Sequence, residues 1–148
     1  MLCLRPGQEG GPPARASDAG LPHWWLEHAR RDLALAKLAH ESELDFAEPI
    51  CFHAQQAAEK AVKAVLLDRN VDFPNTHDLG KLVEEVTGRG LALTPNVGRA
   101  EELTRYASET RYPHSQEITD ENISDALLIA EATVEWAAGL LRAPEEPR

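Results

Sequence analysis

The sequence predicts an all-α fold, an antiparallel up-and-down bundle of four main helices and one short one. Three observations predict it. Alanine, leucine and valine dominate the apolar residues while aromatics make up only 5% of the 148 residues, a balance that favours helix over strand. Apolar residues recur at helical spacing in successive segments, with no credible strand between them. Short segments with Pro, Gly or capping residues separate the periodic stretches, as connections between antiparallel neighbours require.

The first helix is predicted from about Pro22 to Glu41. Pro22 suits a first turn, where no intrahelical partner exists for the missing N–H. Trp25, Ala29, Leu33 and Ala36 form its buried stripe, with Glu27, Arg30, Arg31 and Lys37 mainly off it. The second helix is predicted from near Pro49 to about Leu67. At 100° per residue it divides into two faces. Ile50, Ala54, Ala57, Ala58, Ala61, Val62 and Val65 share one arc, whose alanines allow close approach of a neighbour. His53, Gln56, Lys60 and Lys63 share the other. Arg69 to Pro74 then reads as a turn.

A shorter third helix is predicted with Thr76 as N-cap and Leu79, Leu82, Val83 and Val86 buried, stopped by Gly88 and Gly90. Thr94-Pro95 opens a fourth, carrying Val97, Ala100, Leu103 and Ala107 and broken at Pro113. The last begins near Thr119, with Asp120 and Glu121 placed to favour its N-terminal dipole. Its stripe is Ile123, Leu127, Ala130, Val134, Ala137 and Leu141. Residues 1–20 and 143–148 read as a disordered tail and a short polar tail, leaving 21–142 as one domain.

The formal charge is −10 and the pI about 5.0. Such a balance repels polyanions, so nucleic-acid binding would need a local basic cluster. Cys3 and Cys51 suggest no disulfide framework. No run approaches the roughly 20 apolar residues of a membrane span, and none near the N-terminus suits a signal peptide, so a cytoplasmic location is expected. No cofactor is expected: there is no Gly-rich phosphate loop, His-Glu-x-x-His or Cys-x-x-Cys. No metal is expected either. His23 and Glu27 lie one turn apart but lack a third ligand.

Two groups of residues could carry chemistry. His53, Gln56 and Lys60, at i, i+3 and i+7, make one ridge suited to a phosphate or nucleotide. It could equally be a solvated helix face. Arg105, Tyr106, Arg111, Tyr112 and His114 place two guanidiniums, two phenols and an imidazole within ten residues, a set suited to anions or bases. They could equally cap and pack the end of the bundle. His77-Asp78 could be a general-base pair, but at a helix start Asp78 better suits capping of free amides. Trp24, Trp25 and Trp136 read as core or dimer surface rather than as a stacking platform.

The segment Cys51-Phe52-His53-Ala54-Gln55-Gln56-Ala57-Ala58-Glu59-Lys60-Ala61-Val62-Lys63-Ala64 closely resembles the signature helix of the prokaryotic HEPN domain family. Trp25-Leu26 and Ala29-Arg30-Arg31-Asp32-Leu33 resemble that family's first helix. Thr76-His77-Asp78-Leu79 resembles its third-helix entry, and Tyr106 with Arg111-Tyr112-Pro113 its loop before the final helix. The resemblance runs from about Leu21 to Leu141. It implies a helical bundle, often a homodimer, commonly paired with a minimal nucleotidyltransferase in toxin–antitoxin or nucleotide-handling modules. Many members are ribonucleases that use Arg, four to six residues, then His. Here that spacing is absent: Arg105 and His114 have eight residues between them, Arg69 and His77 seven, and Arg111 and His114 two.

The leading expectation is therefore a binding protein, not an efficient catalyst. It engages a nucleotidyltransferase partner and a nucleotide through His53, Gln56, Lys60, Arg111 and Tyr112. A second reading is a metal-independent ribonuclease toxin acting on RNA, using Arg105 or Arg111 for charge and His114 for proton transfer. A third is a purely structural homodimerisation module.

Overall fold

The computed structural model describes residues 21–108 and 117–142. Both predicted tails, and Arg111, Tyr112, Pro113 and His114, lie outside the described residues. Helix α1 is Pro22–Glu41 and begins on Pro22. Its buried line is Leu26, Ala29, Leu33 and Ala36. Leu26 takes the place expected of Trp25, which is only half-buried. The i, i+3, i+7, i+10 line follows the helical period more closely than repeated steps of four, which drift around the axis.

Helix α2 is Ala47–Asp68, two residues longer at its start than predicted. Pro49 therefore sits within the first turn, where its missing N–H costs nothing. The helix ends in a Schellman motif. Asn70 is left-handed at φ 59, its N–H reaches Leu67 O at 3.0 Å, and the Val71 N–H reaches Leu66 O at 2.9 Å. Asparagine tolerates that conformation better than most residues.

Helix α3 is Leu79–Gly88, with Leu79, Leu82 and Val86 buried. Its N-cap is Asp78 rather than Thr76: Asp78 Oδ1 accepts from the Gly80 and Lys81 amides at 2.9 and 3.3 Å. Thr76 Oγ1 instead accepts from the Asp78 N–H at 3.0 Å, shaping the turn ahead of the cap. At the other end Gly90 is left-handed at φ 82. Its N–H meets Thr87 O at 2.9 Å and that of Leu91 meets Val86 O at 3.4 Å, a second Schellman closure.

The segment predicted as a fourth α-helix is a 3₁₀ helix, η1, at Val97–Tyr106. Its buried residues are Val97, Ala100, Leu103 and Tyr106. They are spaced by three throughout, so they eclipse in a helix of three residues per turn but would drift around an α-helix. Tyr106 accordingly replaces Ala107 at the end of the stripe.

Helix α4 is Asp120–Leu140, opened by a capping box. Thr119 Oγ1 accepts from the Asn122 N–H at 3.1 Å and Asn122 Oδ1 from the Thr119 N–H at 3.0 Å. Ile123, Ala126, Ile129, Ala130, Thr133, Val134 and Ala137 are buried. The Thr133 hydroxyl, fully buried, donates to Ile129 O at 2.7 Å.

No strand occurs among the described residues. Helix α2 packs against all four other helical elements, and its closest partner is α1. Ala54, Ala57, Ala58, Ala61 and Ala64 are fully buried, so the central helix is lined by side chains small enough to bring its neighbours near. Two ties hold α1 and α4 side by side: His23 Nε2 meets Arg142 O at 2.7 Å, and Lys37 pairs with Glu131. No helix among the described residues is long and apolar enough to cross a membrane.

Replacing Thr119 by Ala removes one arm of the capping box. It should lower unfolding stability by about 1 kcal/mol, measured by urea denaturation. Ser124→Ala, on the exposed face of the same helix, should leave it nearly unchanged.

Candidate functional site

The polar residues of α2 fall within one arc, Gln55, Glu59, Lys63, Gln56, Lys60 and His53 in angular order at 100° per residue, interleaved with Leu66, Phe52 and Leu67. The fold covers it from two sides and divides it into two hydrogen-bonded groups.

The outer group is centred on Asp32 of α1. Its carboxylate receives His53 Nδ1 on Oδ1 at 3.0 Å and Lys60 Nζ on Oδ2 at 2.6 Å. Side-chain exposure is 14% for Asp32, 22% for His53 and 26% for Lys60, so the cluster is shielded but reachable. Burial would raise the Asp32 carboxyl pKa. The hydrogen bonds from His53 and Lys60, and their charge, outweigh burial and hold it below the usual carboxylate range. An ionised carboxylate can only accept, so His53 donates from Nδ1 and its Nε2 remains available. Lys60 gives one of three ammonium hydrogens to Asp32 and keeps two.

His28, one turn before Asp32 on α1, borders this group. Burial first, then the positive charges of Arg31 and Lys60, push its pKa below the usual histidine value, against opposing pulls from Asp32 and Glu27. Its ring is in tilted contact with that of Trp24, centroids 4.0 Å apart. Arg31 also pairs with Glu27 at 3.5 Å, where both side chains are largely exposed. Two cations and two carboxylates thus bear on His28, in a chain whose net charge is −10.

The inner group is buried. Glu59 is 3% exposed, Lys63 5% and Gln55 0%. Glu59 Oε2 accepts from Lys63 Nζ at 2.8 Å, while Oε1 accepts from Gln55 Nε2 and faces His77 Nδ1, both at 2.9 Å. Gln55 Nε2 also reaches His77 O at 3.3 Å, and Gln56 Nε2 donates to Gln55 Oε1 at 2.6 Å. The Lys63 ammonium lies 5.6 Å from the Trp25 ring centroid and 5.5 Å from that of Phe73, a position stabilised by both π faces. The helical spacing puts Lys63 on the face opposite the apolar arc. It is on the polar side by angle, but Trp25 and the turn after α2, with Phe73 and His77, cover it.

The ridge predicted from spacing is therefore split. His53 and Lys60 meet on Asp32, whereas Gln56 leans into the buried group. The periodicity of α2 could not reveal Asp32 or His28, because both lie on α1. Arg105 stands elsewhere. Its guanidinium lies 5.0 Å from the Tyr106 ring centroid, and it lines a groove of about 250 Å³ between η1 and α4 with Glu102, Asn122 and Asp125. Among the described residues no group of three or more His, Cys, Asp or Glu could hold a metal ion.

The comparisons agree with this architecture. The family model of the HEPN domain matches residues 22–140. The chain belongs to the HEPN domain family. Its fold is similar to that of the crystal structure of an archaeal HEPN homologue, at a TM-score of 0.63 and 24% identity, covering 82% of this chain and 98% of that one. No curated protein matches the sequence.

Glu59 links the buried group to acid stability. Burial would raise its carboxyl pKa, but hydrogen bonds from Lys63, Gln55 and His77, and the charge of Lys63, bring it below the usual value. A carboxyl depressed on folding stabilises the native state above its unfolded value, and that contribution is lost as pH falls through the folded value. Glu59→Gln leaves Lys63 buried and unpaired. It should cost roughly 3–5 kcal/mol at pH 7, and the gap to the unsubstituted protein in urea melts should narrow below the ordinary carboxylate range. A constant gap down to acid pH would contradict this role for Glu59.

Proposed function

We propose that this HEPN domain is a binding protein that recognises the phosphate of a nucleotide on the α1–α2 face. In this reading it works as a homodimer beside a minimal nucleotidyltransferase, in a toxin–antitoxin-like pair, and is not itself an efficient catalyst.

One observation carries the reading. A single carboxylate, Asp32, holds His53 and Lys60 side by side, leaving His53 Nε2 and two Lys60 hydrogens unspent. A pinned lysine loses less freedom on meeting a phosphate than a mobile one, so the carboxylate preorganises the donors. Gln56, between them in sequence, is half-buried and donates to Gln55 instead. The absent Arg-to-His spacing supports recognition over cleavage.

Calorimetry with AMP tests the nucleotide reading. Lys60→Ala should weaken binding by about tenfold, the effect of losing one charged hydrogen bond. Asp32→Asn should also weaken it, by freeing both partners, although it removes a negative charge from the face. Failure of the unsubstituted protein to bind AMP would overturn the nucleotide reading. Co-expression with a minimal nucleotidyltransferase encoded beside it tests the partner: co-purification is expected, and its absence would overturn the pairing.

A further inference from the structure

We infer that the Trp24–His28 pair is a base-stacking platform, and that the ligand of the α1–α2 face is a nucleoside monophosphate lying along α1, its base on Trp24 and its phosphate toward Arg31 and Lys60. This inference rests on the proposed nucleotide function and assigns it a direction and a specificity element.

Trp24, His28 and Arg31 lie at i, i+4 and i+7, a single ridge of α1. Trp24 and His28 are both half-buried, and their rings are in tilted contact, with centroids 4.0 Å apart and an interplanar angle of 40°. Trp24 is itself fixed edge-on against Trp25, at 5.3 Å and 76°. Trp25 contacts Phe73 at 6.3 Å and 89°. The platform is thus the outer end of an aromatic row rooted above buried Lys63, and its indole is held in place before a ligand arrives. Burial first, then the charges of Arg31 and Lys60, lower the His28 pKa, and its imidazole adds a second flat ring beside the indole.

The positive charges that bear on His28 are those of Arg31 and Lys60, so the cationic end of the face adjoins the aromatic one. Seven residues of helix separate Trp24 from Arg31, about 10 Å along the axis. That separation suits a flat ring joined to a phosphate through a sugar. It is too long for a phosphate carried directly on an aromatic ring. Two carboxylates, Asp32 and Glu27, also bear on His28 and offset the two cations there. A single phosphate is therefore favoured over a polyphosphate or a long strand, which the −10 charge of the chain would repel further.

Calorimetry with AMP, ribose 5-phosphate and inorganic phosphate separates the base from the phosphate. The full-length protein should bind AMP about tenfold or more tightly than ribose 5-phosphate, the effect of stacking one base on an aromatic side chain. Trp24→Ala should bring AMP down to the level of ribose 5-phosphate and leave ribose 5-phosphate itself unchanged. Trp24→Phe should keep most of the preference and guards against a folding defect. Equal binding of AMP and ribose 5-phosphate by the unsubstituted protein, or a preference that survives in Trp24→Ala, would overturn the platform while leaving phosphate recognition intact. Binding of none of the three probes would overturn the platform and the nucleotide function together.

Discussion

The two-sided character of α2 is the constraint on which the rest of the structure depends. A helix at the centre of a bundle is ordinarily apolar all round, yet half the circumference of this one carries Gln55, Gln56, Glu59, Lys60, Lys63 and His53. Such a helix can be central only if every buried polar group finds a partner, because an unpaired charge in the interior costs several kcal/mol. Helix α1 contributes Asp32 to one edge of the arc, and the turn after α2 contributes His77 to the other. The Schellman closure at Asn70 turns the chain back, and the Asp78 cap then launches α3 directly after His77. Those local signals act together with the polar arc: the turn that ends α2 also brings the residue that satisfies Glu59.

The two groups on the arc differ in what burial does to them. Glu59 and Lys63 lie beneath Trp25 and Phe73: Glu59 meets three partners, and the Lys63 ammonium faces the two rings instead of solvent. Replacing such a pair with apolar residues need not destabilise a fold, so its presence is better understood as fixing the register of the covering turn than as a source of stability. Asp32, His53 and Lys60 retain measurable exposure and unspent donors. The same chemistry, a carboxylate holding a histidine and a lysine, is thus closed off in the first group and left reachable in the second. Depth decides which.

Much of this was legible in the sequence, and the parts that were not have physical reasons. Helical spacing placed α1, α2 and α4 close to their observed limits, because long amphipathic stripes average over local error. It mistook Val97–Tyr106 for an α-helix, since three of the four apolar positions fit either period; only the step from Leu103 to Tyr106 favours three residues per turn over the α-helical alternative at Ala107. It put Lys63 on the polar side without its burial, because angle on a helix says nothing of what lies across from it. Spacing within α2 also brought out His53 and Lys60, but not Asp32, which a single helix cannot show to be their shared partner. The Arg111–His114 segment, prominent in the sequence, lies outside the described residues.

The central claim is that the recognition surface of this HEPN domain is the Asp32-held face and not the buried Glu59 group. Histidine ring-nitrogen spectra recorded while AMP is added test it most directly, because His53 and His28 report one group and His77 the other. The account predicts that the ring resonances of His53 and His28 shift in a saturable manner while those of His77 stay in place. Saturable movement of His77 with His53 and His28 unchanged would contradict it.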